Sequence, residues 1–548
     1  MRRYQEAKPP LDTSRFTARR IHFIAKKPKL TYPLPKMYPY LHIGRASDIN
    51  DARDRKLYRF LEVMPGLIAW LTLILIVILS FLTPFFMALF IIAFDIYWLI
   101  KTIYLSFHLR AAYNKLKINS KVDWLERLNQ LPELKSWQDI YHVVFLPLYK
   151  ESYEIVSASL EGLLKTNYPK SKMAVVLCWE ERGGDGTRQV VEAIERKYKN
   201  GFLKFISVMH PSDLRGEIPG KGSNTAYAAI RVKEGFVDRL NIPHDRIIVS
   251  NFDIDTIVYP EYFGILTYMF LTTLDQLKTS YQPIPLYVNN IWEAPSFARV
   301  VAFSATFWHT IKQERPDSAT TFSSHSMPWQ ALEDVGFWQK NMVSEDSRIF
   351  WQCFLRYDGN YKVVSLYYPV SMDANVASRT LETFKNVYKQ QRRWAYGVEN
   401  VPYFLFGFIK NKFIPLRKKL YYGFIVAEGN HSWATNAVIL FLLGWLPVAV
   451  GGPEFNRTVL SFNLPYLTRT IMTLAMFGLI SSAMLSIILL PPRPPQLSRF
   501  KHFLMAIQWI LFPITTILLG AIPALDAQTR LMFGKYMGFW VTPKNRKV

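Results

Sequence analysis

The chain has 548 residues, half of them hydrophobic, which leaves room for several domains and a large buried core. Its 66 Lys and Arg against 42 Asp and Glu give a formal charge of +24, carried partly by clusters outside the apolar runs such as Arg19-Arg20, Lys26-Lys27 and Arg417-Lys418-Lys419. That placement fits cytoplasmic loops beside membrane segments, and without a basic helix or RNA-binding signature it argues against nucleic acid as a partner; the two cysteines, Cys178 and Cys353, argue against a disulfide framework or a zinc site.

Residues 1–60 are basic and proline-rich without a sustained period, and read as a loosely packed cytoplasmic tail. No short apolar run precedes residue 60, so a cleavable signal peptide is not expected and the first membrane helix would serve as the targeting signal. From Val63 to Phe94 there is no charged residue, and the apolar stretch continues to Phe107. That is enough for two helices of ~20 residues across a ~30 Å hydrocarbon core, expected over 61–108 with Pro84 near the turn. Asp95, inside the second, is expected to face the bundle or the interface.

From 109 to 375 short β-rich runs alternate with amphipathic stretches: Val143–Leu148, Ala174–Cys178, Phe205–Met209 and Ile247–Asn251. This predicts an α/β domain with a mainly parallel sheet, inserted between helical membrane segments, with ligands at the carboxyl ends of the strands. Interfacial helices are expected over 376–420 and a membrane region over 421–523, followed by an amphipathic end at 524–548.

Three late apolar segments stand out, near 433–450, 467–490 and 503–523. The first is placed late so that Glu428 and Asn430-His431-Ser432 stay out of lipid. Two early and three late crossings would leave the C-terminus outside, whereas Lys535, Lys544, Arg546 and Lys547 favour inside. Either 503–523, broken by Pro513 and Pro523, is re-entrant or interfacial, or a crossing lies between 405 and 430.

The strongest chemical signal is VSNFDIDT, residues 249–256, where a strand runs into Asp253-Ile254-Asp255. In extended chain, residues i and i+2 point the same way, so both carboxylates can hold one Mg²⁺ or Mn²⁺ together with diphosphate oxygens. Exposed turn aspartates also cap helices, so the surrounding segments decide. In chain order these are FLPLYKES, with Pro147, Tyr149 and Glu151; VVLCWEERGGDGT, with Glu180 and Glu181; GKGSNTAYA, with Lys221 and Asn224; SEDSR, with Glu345 and Asp346; and QQRRW, with Gln390, Arg393 and Trp394. A P-loop is excluded because Arg215 stands where its first glycine belongs and Gly222 replaces the Ser or Thr. No G-x-G-x-x-G follows the first strand, and no H-E-x-x-H occurs.

The series resembles family 2 glycosyltransferases. Gln-x-x-Arg-Trp, with FWVTPK at Phe539–Lys544, is similar to the membrane synthases of cellulose, hyaluronan and chitin, over residues from about 140 to the end. The resemblance implies a GT-A-type nucleotide-sugar domain. In it Glu151, Glu180 and Glu181 would contact the nucleoside, Lys221 and Asn224 would position the donor, and Asp253 and Asp255 would hold metal and diphosphate. Arg393, Thr542 and Lys544 would meet donor phosphate, while Gln390, Trp394, Ser324 and His325 would lie toward the acceptor. Asp346 would be the general base of an inverting transfer, with Glu345 beside it. Two departures matter: Trp179-Glu180-Glu181 replaces the family's usual aspartate, leaving UDP- and GDP-sugars both open, and the Lys221–Asn224 spacing is one residue short.

The expected activity is processive synthesis of a β-linked polysaccharide at the cytoplasmic face of the plasma or inner membrane, with export through the membrane helices left open as a coupled step. The alternatives are transfer of one sugar to a polyprenyl phosphate and, in another class, a non-catalytic membrane scaffold or transporter.

Overall fold

The computed structural model describes residues 38–132, 136–240, 242–495, 498, 500–543 and 546. Arg19-Arg20, Lys26-Lys27, Lys544 and Lys547 lie outside the described residues. The expectation of a loose tail up to residue 60 does not hold for its second part. Tyr38, Leu41, Ala46 and Ile49 are buried in the same core as the sheet. Their backbone is tied down by Tyr403, whose hydroxyl donates to Leu41 O at 2.9 Å, and by Arg348, whose Nη1 donates to Ile43 O at 2.9 Å. Two short 3₁₀ turns make this contact, and such turns carry no periodic signal.

Helix α1 (Ala52–Leu82) starts where Asp51 accepts from Asp54 N at 2.8 Å, and α2 (Pro84–Asn119) starts on a proline whose missing N–H costs nothing there. The break falls at Thr83, as Pro84 predicts. Leu71, Ile74, Phe86 and Phe107 face outward, where only lipid would suit them.

Eight strands follow: β1 (Tyr141–Leu148), β2 (Met173–Glu180), β3 (Lys204–His210), β4 (Ile247–Asn251), β5 (Ile257–Val258), β6 (Thr279–Tyr287), β7 (His325–Pro328) and β8 (Lys362–Met372). They form one sheet in the order β3-β2-β1-β4-β7-β6-β8-β5. Its first four strands are parallel, β6 and β8 are parallel, and β7 and β5 pair antiparallel to their neighbours. The expected runs fall within β1 to β4, and β1, β2 and β4 are buried on both faces, as parallel strands covered by helices require. Parallel pairing puts the ends of β1, β2 and β4 on one edge, so Glu151, Glu180 and Asp253 open toward the same side. Pairing β7 against β4 sets His325 opposite Asn251, which brings the preceding serines beside Asp253. Four helices matter for the site: α3 (Lys221–Gly235), α4 (Ser296–Gln313), α5 (Glu345–Arg356) and α6 (Thr380–Ala395).

Helix α7 (Leu416–Phe441) begins well before the expected residue 433 and includes Glu428, Asn430, His431 and Ser432. Pairing makes this tolerable: Glu428 takes Lys101 Nζ of α2 at 2.8 Å and the Ser432 hydroxyl at 2.6 Å. After a 49° bend the chain continues through Leu443–Val450, then α8 (Val459–Ile488), then a broken helical run ending at Met532. Among the described residues four helices, α1, α2, α8 and Phe503–Met532, are long and apolar enough to cross a membrane, or five spans if the bent pair counts as one.

The last run touches the catalytic body at both ends. Gln508 Oε1 accepts from Arg299 of α4 at 2.6 Å and Trp509 stacks on Phe307. At its other end Asp526 accepts from Arg392 of α6 at 2.8 Å and Leu531 O accepts from Arg59 at 3.0 Å. Phe503–Met532 is nonetheless long and apolar enough to cross a membrane.

Candidate active site

Lys221 opens α3 directly after Gly220, whose φ of 154° and contact with Phe539 leave no space for a side chain; a Cβ there would fall 2.5 Å from the Phe539 ring. The Lys221 ammonium donates to Asp253 Oδ1 at 2.6 Å and to Ser323 O at 3.3 Å. Burial works against its charge, but Asp253, Glu345 and Asp346 outweigh that and hold its pKa above the ordinary lysine value. The Ser323 hydroxyl donates to Asp253 Oδ2 at 2.6 Å, and the Ser323 N–H donates to Asp346 Oδ2 at 2.7 Å. Ser323 adopts a left-handed φ of 47°, which lets its hydroxyl and N–H serve two carboxylates.

Asp255 is fully buried and accepts from the Asp373 N–H at 2.9 Å. Asn289 donates to both Asp255 O and the Asp373 carboxylate, and Arg546 reaches the same carboxylate through Nη2 at 2.6 Å and Nε at 2.9 Å. Sequence reasoning missed Asn289, Asp373 and Arg546, which act through contacts made across the fold, and it chose Ser324 and His325 over their neighbour Ser323, whose contacts depend on its own backbone turn.

On the donor side, Glu151 caps the turn after β1 by accepting from the N–H groups of Tyr149 (2.9 Å) and Lys150 (3.2 Å). Glu180 is buried and held by the Arg182 guanidinium, which lies 4.2 Å over the Tyr149 ring. Asn224 donates to Cys178 O at 2.8 Å and leaves its carbonyl oxygen unmatched beside the cavity. Glu181, expected next to the nucleoside, turns to Ser212, accepting from its N–H at 2.9 Å and hydroxyl at 3.0 Å, and does not line the cavity that holds Glu180.

On the other side, Glu345 and Asp346 begin α5. Burial, then the neighbouring Asp346 charge, raises the Glu345 pKa to about 8, so it is largely protonated at neutral pH. The buried Glu399 fixes this helix start: its Oε1 accepts from Val343 N (3.0 Å), Ser344 N (2.9 Å) and Ser344 Oγ (2.7 Å). His325 is buried and its pKa is lowered to about 4, first by desolvation and next by the Lys221 charge, so it is neutral here. Ser324 does not line the cavity; its hydroxyl accepts from Asp253 N at 3.2 Å and bonds Thr256 at 2.8 Å, fixing the loop that carries the aspartates. Trp394 lies 5.9 Å from the Tyr287 ring, Arg393 sits 4.9 Å over Phe539, and Gln390 and Thr542 line the same space, the Thr542 hydroxyl without a hydrogen-bond partner among the described residues.

Apart from Glu181, Ser324 and His325, the described candidate residues share one cavity of about 1240 Å³ that runs from Tyr149, Glu180 and Lys221, past Asp253, Asp346 and Trp394, and up between α2, α4, α7 and α8. The Asp253–Asp255 oxygens, with 29% of the Asp253 side chain exposed, are the hard donors that suit Mg²⁺ or Mn²⁺. A second group, Asp238, His244 and Glu333, has ligand atoms within 4.8 Å of one another. It is closed by Lys233, 2.8 Å from Asp238 and 3.0 Å from Glu333, and does not line the cavity.

A family model described as glycosyl transferase family group 2 matches residues 248–522, half of the chain. A sequence search of curated proteins returns no match. Among solved structures, the mannosyltransferase PcManGT from Pyrobaculum calidifontis, in complex with GDP-Man and Mn²⁺, is similar at 14% identity and a TM-score of 0.37 over 70% of this chain and 99% of that one. TarS of S. aureus is similar at 14% identity and a TM-score of 0.30 over 62% of this chain and 54% of that one. GalNAc-T7, solved with UDP, GalNAc and Mn²⁺, gives 9% identity and a TM-score of 0.30 over 56% and 57%. The protein described here belongs to glycosyl transferase family group 2 and is a glycosyltransferase.

Proposed function

We propose that the chain is a membrane-embedded, metal-dependent inverting glycosyltransferase that takes a hexose from a UDP- or GDP-sugar, with its catalytic body and C-terminus on the cytoplasmic side. The observation that carries this reading is the Lys221–Asp253–Ser323–Asp346 chain of contacts, which joins a diphosphate-type site to a carboxylate base within one cavity.

In the mechanism, Glu180, Arg182 and Tyr149 frame the nucleoside end. A divalent cation at Asp253 and Asp255 would supply positive charge to the departing diphosphate. Lys221 and Arg393 add fixed positive charge on the same side. Asp346 takes the acceptor hydroxyl proton as its oxygen bonds to the anomeric carbon and the bond from that carbon to the diphosphate oxygen breaks. Glu345, kept protonated by burial, spares Asp346 a second adjacent negative charge. Thr542 and Phe539 close over the site from the C-terminal segment.

For the acceptor, Trp394 beside Tyr287 offers a flat face to a pyranose ring, which supports a growing β-linked polysaccharide. A second reading, one sugar passed to a polyprenyl phosphate, is favoured by the course of the cavity. Its lining on α2 begins at Asp95 and on α8 at Ile471, each about 18 Å along its helix from the end beside the Pro84–Gly451 contact. It thus ends inside the helical bundle. Product size from labelled donor separates the two: polymer supports the first, a lipid-extractable monosaccharide the second.

A further inference from the structure

The membrane end of the cavity carries a group of charges that the transfer chemistry leaves unused. Lys101 of α2, Lys312 of α4 and Arg315 just beyond it all line the cavity; Glu428 of α7 is the carboxylate paired with them, while Asp95, six residues back on α2, accepts from the Thr468 hydroxyl at 2.9 Å. Lys101 pairs with Glu428 at 2.8 Å and lies 4.7 Å over the Trp98 ring. Lys312 has only Ser318 O at 3.5 Å and the Trp308 face at 5.3 Å. Among the described residues, no hydrogen bond engages the Arg315 guanidinium. Three positive charges, against Glu428 beside them and Asp95 farther along, still leave an excess that an anion would neutralise. Burial, then the Arg315 charge, lowers the Lys312 pKa to about 8, despite Glu428; this is the signature of a cation held out of water without its own counter-ion.

Position identifies the carrier of that anion. Lys101 lies about 27 Å along α2 from the turn at Thr83, close to the ~30 Å thickness of a hydrocarbon core. The cluster therefore sits at the headgroup level on the side of the catalytic body. Beyond it the cavity is walled mainly by Ala437, Leu440, Phe441, Ile471 and Met472, with Asp95 and Asn436 as its polar groups, a lining that suits a hydrocarbon chain better than a hydrated glycan. We propose that Lys101, Lys312 and Arg315 bind the phosphate of a membrane lipid whose chain occupies the apolar part of this cavity. The inference rests on reading the cavity as the acceptor's path. A polyprenyl monophosphate and an ordinary anionic phospholipid share the chemistry required.

The test uses the full chain in neutral nanodiscs, with quenching of tryptophan fluorescence by three probes: a long-chain polyprenyl monophosphate, the parent polyprenol and phosphatidylglycerol. The phosphate-bearing lipids are expected to bind at least about tenfold tighter than the alcohol, a difference of about 1.4 kcal/mol. Lys312→Gln with Arg315→Gln should erase that preference, Lys312→Arg should keep it, and neither should alter metal-dependent nucleotide release from the donor. Tighter binding of the polyprenyl phosphate than of phosphatidylglycerol assigns the site to an acceptor; equal binding assigns it to a structural lipid, and both support a lipid-phosphate site. Equal binding of alcohol and phosphate by the native chain would overturn the proposal, as would an unchanged preference in the double variant. Nucleotide release persisting in either case would leave the transferase reading intact, and its loss in the native chain would count against that reading alone.

Discussion

The Ser323 hydroxyl donates to Asp253 Oδ2 at 2.6 Å, tying the loop before β7 to the acidic pair after β4. Because the Ser323 N–H also donates to Asp346, the acidic pair after β4 and the start of α5 are held in one register. Ser323→Ala keeps the second bond and removes the first. A loss of about 0.5–1.5 kcal/mol is expected, seen as a roughly 2- to 12-fold higher metal requirement in a Mg²⁺ or Mn²⁺ titration of activity, with little change at saturating metal. An unchanged titration would remove Ser323 from the positioning of Asp253.

Asp346→Asn keeps the size of the side chain and removes the base. Transfer should fall by about 10²–10⁴, while donor affinity measured by calorimetry stays within a few-fold. Substantial remaining turnover would sink the assignment.

Glu345 gives a pH signature. Its folded pKa of about 8 lies above the ordinary 4.5, so the folded chain holds a proton that the unfolded chain releases. Stability from this group is fully present below pH 4.5 and declines as pH rises toward 8. Glu345→Gln, a permanent mimic of the protonated acid, should flatten the fall in melting temperature across that window. A slope identical to that of the native chain would mean that Glu345 is already ionised.

Topology is checked by thiol labelling, since Cys178 and Cys353 are both buried. A cysteine replacing exposed Arg457 should react with an impermeant reagent in intact cells, whereas one replacing Gly538 should react only after permeabilisation. The reverse pattern would invert the proposed orientation.

The sequence made the sheet and its chemistry legible where local pattern and motif coincide. Ile247–Asn251 is a buried apolar run ending in two aspartates, and Pro84 marks a helix break by its missing donor. It was silent where partners come from afar. Glu428 looked too costly for a helix because its partner Lys101 lies on a different helix far back in the chain. Glu181 looked equivalent to Glu180, yet β2 ends at Glu180 and Glu181 opens a 3₁₀ turn, so one meets Arg182 and the other Ser212. The turns at 38–50 bury tyrosines through contacts with Arg348 and Tyr403 that no local period announces.

The most direct measurement is nucleoside diphosphate release by the purified chain from a panel of UDP- and GDP-sugars, with Mg²⁺, with Mn²⁺ and with chelator. The account predicts release from at least one donor, lost with chelator, restored by added metal and abolished in Asp253→Asn and Asp255→Asn. Donor turnover that survives chelation and both substitutions would contradict it.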